Sequence, residues 1–356
     1  QGHQSGDGHD QHTPAGHAAG EAQGAWLKQA HGRGAGAHTA HSSRSWRLRP
    51  RLAARTRKLP TIRLHASCPR VTDNLTVQVP LSYAFFLQQE QAIDDLLTFS
   101  PWASPALEAD LLAAIELMVP VGCSRELIRI GGAGDGAYLL PDHLAGVAAC
   151  FSPGVADVCG FEAELAERFG IPSYLCDASV TGENLGLRDG AHWFSRKWLG
   201  SFDGAETQSL DHWVLGSDHA EAGDLLLQMD IEGSEYRSLL AASDSVLSRF
   251  RIVVLELHGL ARLQSSRFLN TLFLPTLHKL HRQFDCVHAH ANNCCGSVDL
   301  CGVEVPQVIE LTFYRRDANG AERHPVQIPH PLDVVNVPDL PPLLLGSPWS
   351  SAAGQH

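Results

Sequence analysis

The 356 residues of this chain are enough for one large domain or two of moderate size, and a hydrophobic content of 44% supplies a sizeable core. The formal net charge of -12 argues against general nucleic-acid binding by the whole chain. No apolar run is long enough to cross a bilayer, so we expect no membrane span.

The cysteines predict reduced thiols rather than a disulfide framework. The chain has nine of them, spread through an α/β pattern. Cys294, Cys295 and Cys301 are candidates for a structural metal site, but no two cysteines show the CxxC spacing. We therefore favour ordinary, mostly buried thiols.

Residues 1–66 lack the pattern of a folded domain. Gly, His, Ala, Gln and Ser dominate, and periodic apolar residues are almost absent, which is typical of low complexity. From Arg33 to Arg63 the segment is basic and free of acids, as in an organelle transit peptide, although acids precede it. We favour a disordered basic tail and a cytoplasmic location, with organelle targeting as the alternative.

Residues 71–120 are predicted to form a helical preface. Apolar residues recur at helical spacing in residues 85–97 and again in residues 105–118. We expect both amphipathic helices to pack on a sheet domain of residues 121–336. A Pro/Ser-rich tail, residues 337–356, is expected to be ordered only in part.

From residue 127 onward, predicted strands and helices alternate, which indicates βαβ units and a mostly parallel sheet. The strands are predicted at 127–130, 147–152, 173–176, 191–194, 225–229, 252–258, 286–293 and 308–314. The glycine-rich segment 131–136 lacks the Lys-Ser/Thr pair of a P-loop, so we predict a loop or hairpin there.

One part of the chain has the element order of the nucleotide-binding half of a Rossmann fold: strand, turn, helix and strand. The strand ending at Ser152 leads into a turn with Gly154, a helix begins near Phe161, and the next strand ends at Asp177. Glycine lets a ligand approach the backbone, and an acid ending the second strand can accept hydrogen bonds from ribose hydroxyls. We therefore expect a nucleotide-like ligand at this edge.

Three later strands end in acids, imidazoles or amides. The side chains are, in order, Asp230 and Glu232, Glu256 and His258, and His290 and Asn292. The carboxyl ends of sequential parallel strands meet at the edge where α/β sheets bind ligands. Histidine beside a carboxylate makes a general base, and the same groups can hold a divalent ion. The plainer interpretation of Asp230 and Glu232 is that one caps a helix and the other is solvated.

Five segments follow one another in the order of a known family's motifs. They are GDGAY at 134–138, FSPGVAD through Phe161-Glu162 at 151–162, DIEGSE at 230–235, VHAHANN at 287–293 and PQVIELT at 306–312. They resemble FkbM-type S-adenosylmethionine-dependent methyltransferases. The chain departs from the family pattern at Ala137, Pro153, Ala156 and Cys159-Gly160.

The resemblance implies an α/β, Rossmann-like class I methyltransferase fold that transfers a methyl group from S-adenosylmethionine to a hydroxyl of a sugar or other small-molecule or glycan acceptor. The cofactor-binding residues predicted on this basis are Gly154, Val155, Asp157, Glu162, Asp177 and Asp230. The predicted catalytic residues are His258, His290 and Glu232, and the predicted ligands of a divalent metal such as Mg²⁺ are Asp230, Glu256 and Asn292. A degenerate cofactor-binding or scaffold protein and a metal-dependent hydrolase stay open as alternatives.

Overall fold

The computed structural model describes residues 96, 98, 103–155, 159–183, 185–188, 190–221, 223–320, 324 and 326–349. These residues belong to one compact unit, residues 80–356. The basic tail, Asp157 and almost all of the first predicted preface helix lie outside the described residues. The second preface helix is present as α1, Glu108–Glu116.

The predicted strands from residue 127 onward are all present. The strands are β1 (Leu127–Ile130), β2 (Tyr138–Pro141), β3 (Val147–Pro153), β4 (Ser173–Cys176), β5 (His192–Ser195), β6 (Trp198–Gly200), β7 (Thr207–Ser209), β8 (Asp224–Met229), β9 (Phe250–His258), β10 (Phe284–Leu300) and β11 (Val303–Arg315). β10 ends later and β11 begins earlier than predicted, and β2, β6 and β7 were not predicted. The helices after α1 are α2 (Gly160–Glu164), α3 (Leu210–Leu215), α4 (Glu235–Ala241), α5 (Asp244–Leu247), α6 (Ser266–Phe268), α7 (Leu274–Leu280) and α8 (Arg316–Asn319).

Within the described residues, the main sheet has seven strands in the order β5-β4-β3-β8-β9-β11-β10. β5, β4, β3, β8 and β9 run parallel, whereas β11 is antiparallel to both of its neighbours. The chain winds outward from β3 to β5 and then returns to β8 on the other side of β3. The predicted Rossmann-like α/β fold, a mostly parallel sheet flanked by helices, is confirmed, with its topological switch point between β3 and β8.

The central strands are apolar because both of their faces are covered. Leu225, Leu226 and Leu227 of β8 are fully buried, and every residue of β9 before His258 is buried. A continuous apolar run is what a parallel strand between two helical layers requires. Each such leucine contributes roughly 1.5–3 kcal/mol on burial. The polar residues Gln228 and Glu256 on these strands therefore stand out.

The edge of the sheet differs from the prediction at β10. This strand continues to Leu300, so His290 and Asn292 lie inside it and not at its end. Because β11 pairs with both β9 and β10, His290 lies opposite Glu310, which lies opposite Glu256. One rung of the sheet thus carries two carboxyls and an imidazole.

Two segments outside the main sheet close over this end of it. β1 and β2 form an antiparallel hairpin, as predicted for the glycine-rich turn. Residues 326–349, which include part of the predicted tail, return along β10, where Asn293 donates to the carbonyl oxygen of Val337 and Trp349 is buried. In the part of the chain that the structure describes, we find no helix with the length and apolar character of a membrane span.

Candidate active site

The loops that follow β3 and β8 touch at Gly154. This residue has a φ of +86°, and a Cβ placed on it would lie 1.6 Å from the carbonyl oxygen of Asp230. Its N–H donates to the carbonyl of Cys176 at 3.0 Å, and the Asp230 N–H donates to that of Pro153 at 3.3 Å. Glycine is therefore required here because the ends of β3, β4 and β8 are joined through its backbone.

Asp177 and Val155 lie beside this junction. Asp177 directly follows β4 and is 5% exposed, and its Oδ1 accepts from the N–H of Ser179 at 2.7 Å and from the Ser179 hydroxyl at 2.6 Å. Val155 is buried and packs with Leu175 and Leu185. The structure thus places the predicted ribose-binding acid in a fixed orientation next to the predicted cofactor turn.

Glu162 lies behind β3, within a buried row of polar side chains. The Ser152 hydroxyl lies within hydrogen-bond distance of Glu162 Oε1, and burial raises the pKa of the Glu162 carboxyl. Ser152 then donates to Gln228 Oε1 at 2.6 Å, and Gln228 Nε2 donates to the Tyr138 hydroxyl at 3.3 Å. Tyr138 donates to Glu256 Oε2 at 3.2 Å. Glu162 therefore orients this row and does not line the crevice.

His258, at the end of β9, is surrounded by carboxylates. Its Nδ1 is 3.2 Å from Glu235 Oε1. Its Nε2 is 3.7 Å from Asp230 Oδ1, 3.5 Å from Glu232 Oε2 and 3.8 Å from Glu256 Oε1. The predicted residues Asp230, Glu232, Glu256 and His258 therefore do come together, and Glu235 joins them. We call Asp230, Glu232, Glu235 and His258 the His258 cluster.

The charges in the His258 cluster affect each other strongly. Burial by itself would lower the pKa of His258, but the Glu235 hydrogen bond and the nearby carboxylates outweigh it and raise that pKa well above its ordinary value. Burial raises the pKa of Asp230 to about 8, against the opposing effect of His258. The carboxylates therefore favour the protonated form of the imidazole, which suits a hydrogen-bond donor better than a general base.

Two members of the His258 cluster are unusual. Glu232 adopts a φ of +54°, a left-handed conformation that costs a non-glycine residue roughly 1–2 kcal/mol, and its side chain is 68% exposed. Glu235 is completely buried at the start of α4, and its Oε1 accepts from the N–H groups of Ile231 and Gly233. Glu235, and not Asp230, thus binds the N–H groups of the turn before α4, and this helix has no side-chain cap.

A second group of acids lies next to the first, across β9 and β11. Ligand atoms of Asp135, Glu256 and Glu310 lie within 4.8 Å of one another. Asn292 Nδ2 donates to Glu256 Oε1 at 3.0 Å, and Asn336 Nδ2 donates to Glu310 Oε1 at 2.6 Å and to Asp135 Oδ1 at 3.1 Å. We call these five residues the amide-bridged cluster. Burial raises the pKa of Glu310 to about 7.

The structure places His290 with the amide-bridged cluster and not with His258. Its Nε2 is 3.1 Å from Asn336 Oδ1, and its Nδ1 is 3.6 Å from Asp333 Oδ2. His288 Nε2 is 2.8 Å from the other oxygen of Asp333. His290 is therefore held by residues 333–336, which lie over it.

The predicted metal ligands are divided between the two clusters. Asn292 donates through Nδ2 and accepts the Cys294 N–H through Oδ1 at 2.9 Å, so its amide is fully engaged. Asp230 belongs to the His258 cluster. Glu256 and Asn292 belong to the amide-bridged cluster, where Glu256 accepts a hydrogen bond from Asn292. Among the described residues, the groups of three potential ligands contain no cysteine.

Four residues of these clusters were missed by the sequence analysis. Three of them lie within the quoted segments: Asp135 in GDGAY, Glu235 in DIEGSE and Glu310 in PQVIELT. Their positions in those segments were the available signal. Asn336 had none, because only the return of the chain over β10 brings it to the site.

Comparisons with known proteins find similarity to solved structures and to no family model or curated protein. No protein-family model matches the chain, and no curated protein matches it. A solved structure of a fibrillarin/Nop5p complex matches with 14% identity and a TM-score of 0.30, over 48% of this chain and 74% of that one. The antibiotic-resistance methyltransferase Kmr matches with 14% identity and a TM-score of 0.25, over 53% of this chain and 100% of that one. The FkbM resemblance is thus not confirmed.

The partner prediction is corrected by these neighbours. We expected a small-molecule or glycan acceptor and no nucleic acid. The exclusion of other partners is wrong. One similar structure is a complex with the protein Nop5p, and the other is an antibiotic-resistance methyltransferase. The net charge of the whole chain was the basis of that exclusion, but net charge describes average behaviour and not one edge of one sheet.

Proposed function

We propose that this protein is an S-adenosylmethionine-dependent methyltransferase, related to the FkbM type, that transfers the methyl group to an oxygen atom. The observation that carries the proposal is the convergence of Gly154, Asp177 and Asp230 at the switch point between β3 and β8. Ligands of open α/β sheets bind in the crevice at that point.

The residues at the crevice suit this cofactor. Asp177, fixed by Ser179, would accept hydrogen bonds from the ribose hydroxyls. The carboxylates of the His258 cluster would favour the positive charge of a sulfonium by direct Coulomb attraction. When bound, the cofactor supplies an electrophilic methyl group.

The exposed end of the His258 cluster would bind the acceptor. His258, whose protonated form the nearby carboxylates favour, would donate a hydrogen bond to the acceptor oxygen, and the exposed carboxylate of Glu232 would take the hydroxyl proton. Holding the acceptor oxygen in line with the methyl group would supply most of the rate enhancement, roughly 7–11 kcal/mol in well-oriented cases.

Equilibrium dialysis of the purified full chain with labelled S-adenosylmethionine tests the cofactor assignment. Asp177→Asn keeps an acceptor for Ser179 but loses the charge, so we expect its affinity to fall about 10- to 100-fold, as for the loss of a charged hydrogen bond. Asp244→Asn removes an exposed aspartate paired with Arg282 and should bind like the wild type. Folded wild-type protein that binds no cofactor would overturn the proposal.

Label transfer tests the chemistry. Incubation with labelled cofactor and separated acceptor fractions, followed by mass spectrometry of the product, should find the methyl group on oxygen. Glu232→Gln should lower the transfer rate while cofactor affinity stays near that of the wild type. Cofactor binding without transfer to any fraction, unchanged by Glu232→Gln, would favour a cofactor-binding scaffold instead.

A further inference from the structure

Two adjacent cysteines, Cys294 and Cys295, lie in β10 and have no role in the proposed reaction. Both are partly exposed, whereas four of the other described cysteines are buried. A small oxidant can therefore reach both thiols.

A β-bulge places the two thiols side by side. In a regular strand, adjacent side chains point to opposite faces, which would keep two neighbouring thiols apart. Residues 293–296 of β10 instead oppose the single residue Gln307 of β11, and Gly296 has a φ of +72°. A bulge of this kind interrupts the alternation of side chains. As a result, the thiols of Cys294 and Cys295 are hydrogen-bonded to each other.

The two thiols differ in reactivity. The hydrogen bond from Cys294 outweighs burial and lowers the pKa of Cys295, and the charge of His258 lowers it further. Since the thiolate is the form that reacts with peroxides, Cys295 is suited to react first and Cys294 second. The effect of the imidazole also shows that Cys295 lies near the His258 cluster.

We propose that Cys294 and Cys295 form an oxidation site, at which a hydroperoxide converts the two thiols into a disulfide bond between adjacent residues. The Cys295 thiolate attacks a peroxide oxygen and becomes a sulfenic acid, and the departing hydroxide takes up the thiol proton as water. Cys294 then attacks the sulfenic sulfur and expels a second water. The two thiols lose two electrons and two protons, and hydrogen peroxide is reduced to two waters.

The bond between adjacent residues suits a reversible modification. Their Cα atoms are about 3.8 Å apart across a trans peptide, closer than the roughly 4.4–6.8 Å of most disulfides. Disulfides outside that range are strained and more easily reduced. We therefore expect cellular thiols to return the pair to the reduced form.

Asn292 connects the cysteine pair to the two acid clusters. Its Oδ1 accepts the Cys294 N–H at 2.9 Å, and its Nδ2 donates to Glu256 Oε1 at 3.0 Å. Glu256 Oε1 in turn is 3.8 Å from His258 Nε2. Ring closure reorients the backbone at Cys294 and weakens its bond to Asn292. We therefore expect the oxidised protein to transfer methyl groups more slowly, because Glu256 and His258 lose their fixed positions.

Peptide mapping of the full chain tests the oxidation site directly. The reduced protein is treated with hydrogen peroxide, its remaining thiols are alkylated, and the proteolytic fragments are sequenced by mass spectrometry. Cys294 and Cys295 should escape alkylation, and their peptide should lack two hydrogens until dithiothreitol restores them. This measurement needs neither cofactor nor acceptor.

Three variants assign the roles of the thiols. Cys294→Ser should not lose the two hydrogens and should instead keep a sulfenic acid on Cys295, which dimedone traps. Cys295→Ser should form neither product at this site. Cys301→Ser removes the exposed cysteine between β10 and β11 and should behave like the wild type.

Free thiols at Cys294 and Cys295, under conditions that oxidise the exposed Cys301, would overturn the proposal, and so would a bridge that includes Cys301. The effect on methyl transfer rests on the proposed function. Peroxide should lower the transfer rate of the wild type, with recovery in dithiothreitol, and should leave the rate of Cys294→Ser/Cys295→Ser unchanged. A disulfide that forms without changing the rate would refute the connection through Asn292. Failure of cofactor binding in dialysis would defeat the proposed function alone.

Discussion

The His258 cluster and the amide-bridged cluster are built from similar acids on neighbouring strands, yet they differ in chemical character. Asn292 and Asn336 satisfy the second cluster with N–H donors, and the chain returns over it at residues 333–336. The first has one exposed carboxylate and two buried oxygens that find no donor within the described part of the chain. A closed, fully hydrogen-bonded acid network stabilises a fold, whereas an open one is available for chemistry.

This contrast predicts that the same kind of substitution has opposite consequences in the two clusters. Changes in the amide-bridged cluster should reduce the free energy of unfolding with secondary effects on function. Changes to the open side of the His258 cluster should reduce function and leave the free energy of unfolding nearly unchanged. Three substitutions test this, in order of decreasing effect on stability.

Asn336→Ala should have the largest effect. It removes the donor to Asp135 and Glu310 and the acceptor of His290, and buried groups left without partners cost about 1–3 kcal/mol each. We expect the free energy of unfolding, measured with urea, to fall by about 3 kcal/mol. Asn270→Ala removes an exposed asparagine as a control. Surface substitutions usually change the free energy of unfolding by less than about 0.5 kcal/mol. A loss that small in Asn336→Ala would show that the amide does not hold this cluster together.

Glu310→Gln should change how stability depends on pH. The pKa of Glu310 is about 7 in the folded protein and 4.5 is its ordinary value, so the folded state binds more protons between these pH values. Stability from this group is therefore lost as pH rises through that window, by an amount on the order of 2 kcal/mol.

Urea unfolding at pH 5 and pH 8 measures this effect. The wild type should lose more stability than Glu310→Gln between the two conditions, because the glutamine does not titrate. Glu304→Gln, an exposed change on the same strand, should behave like the wild type. Equal losses of unfolding free energy in wild type and Glu310→Gln would mean that ionisation of Glu310 does not destabilise the fold. The amide-bridged cluster would then not be a closed network.

Glu232→Gly should have the smallest effect on stability and a clear effect on function. Glycine removes the cost of the left-handed backbone at a φ of +54°, so the free energy of unfolding should stay constant or rise by up to about 1 kcal/mol. Methyl transfer should fall, because the carboxylate that would take the hydroxyl proton is lost. A variant that is less stable and fully active would reverse the comparison between the clusters.

The sequence by itself determined most strands of the main sheet. It also determined which strand ends carry the acids and His258. Apolar runs such as Leu225–Leu227 can be buried only between two layers, and period and turn signals around them place each strand within a few residues. Asp230 and Glu232 follow β8, and Glu256 and His258 lie at the end of the adjacent β9, so their meeting at one edge was predictable.

Only the tertiary structure decided how the acids divide into two clusters. Glu310 meets Glu256 because β11 enters between β9 and β10, and Asn336 meets both His290 and Asp135 because the chain folds back over β10. These contacts join residues far apart in the chain and follow no period in it. The same limit explains why the sequence pointed to His258 as a base, since a histidine's charge depends on carboxylates such as Glu235, whose burial no local pattern reveals.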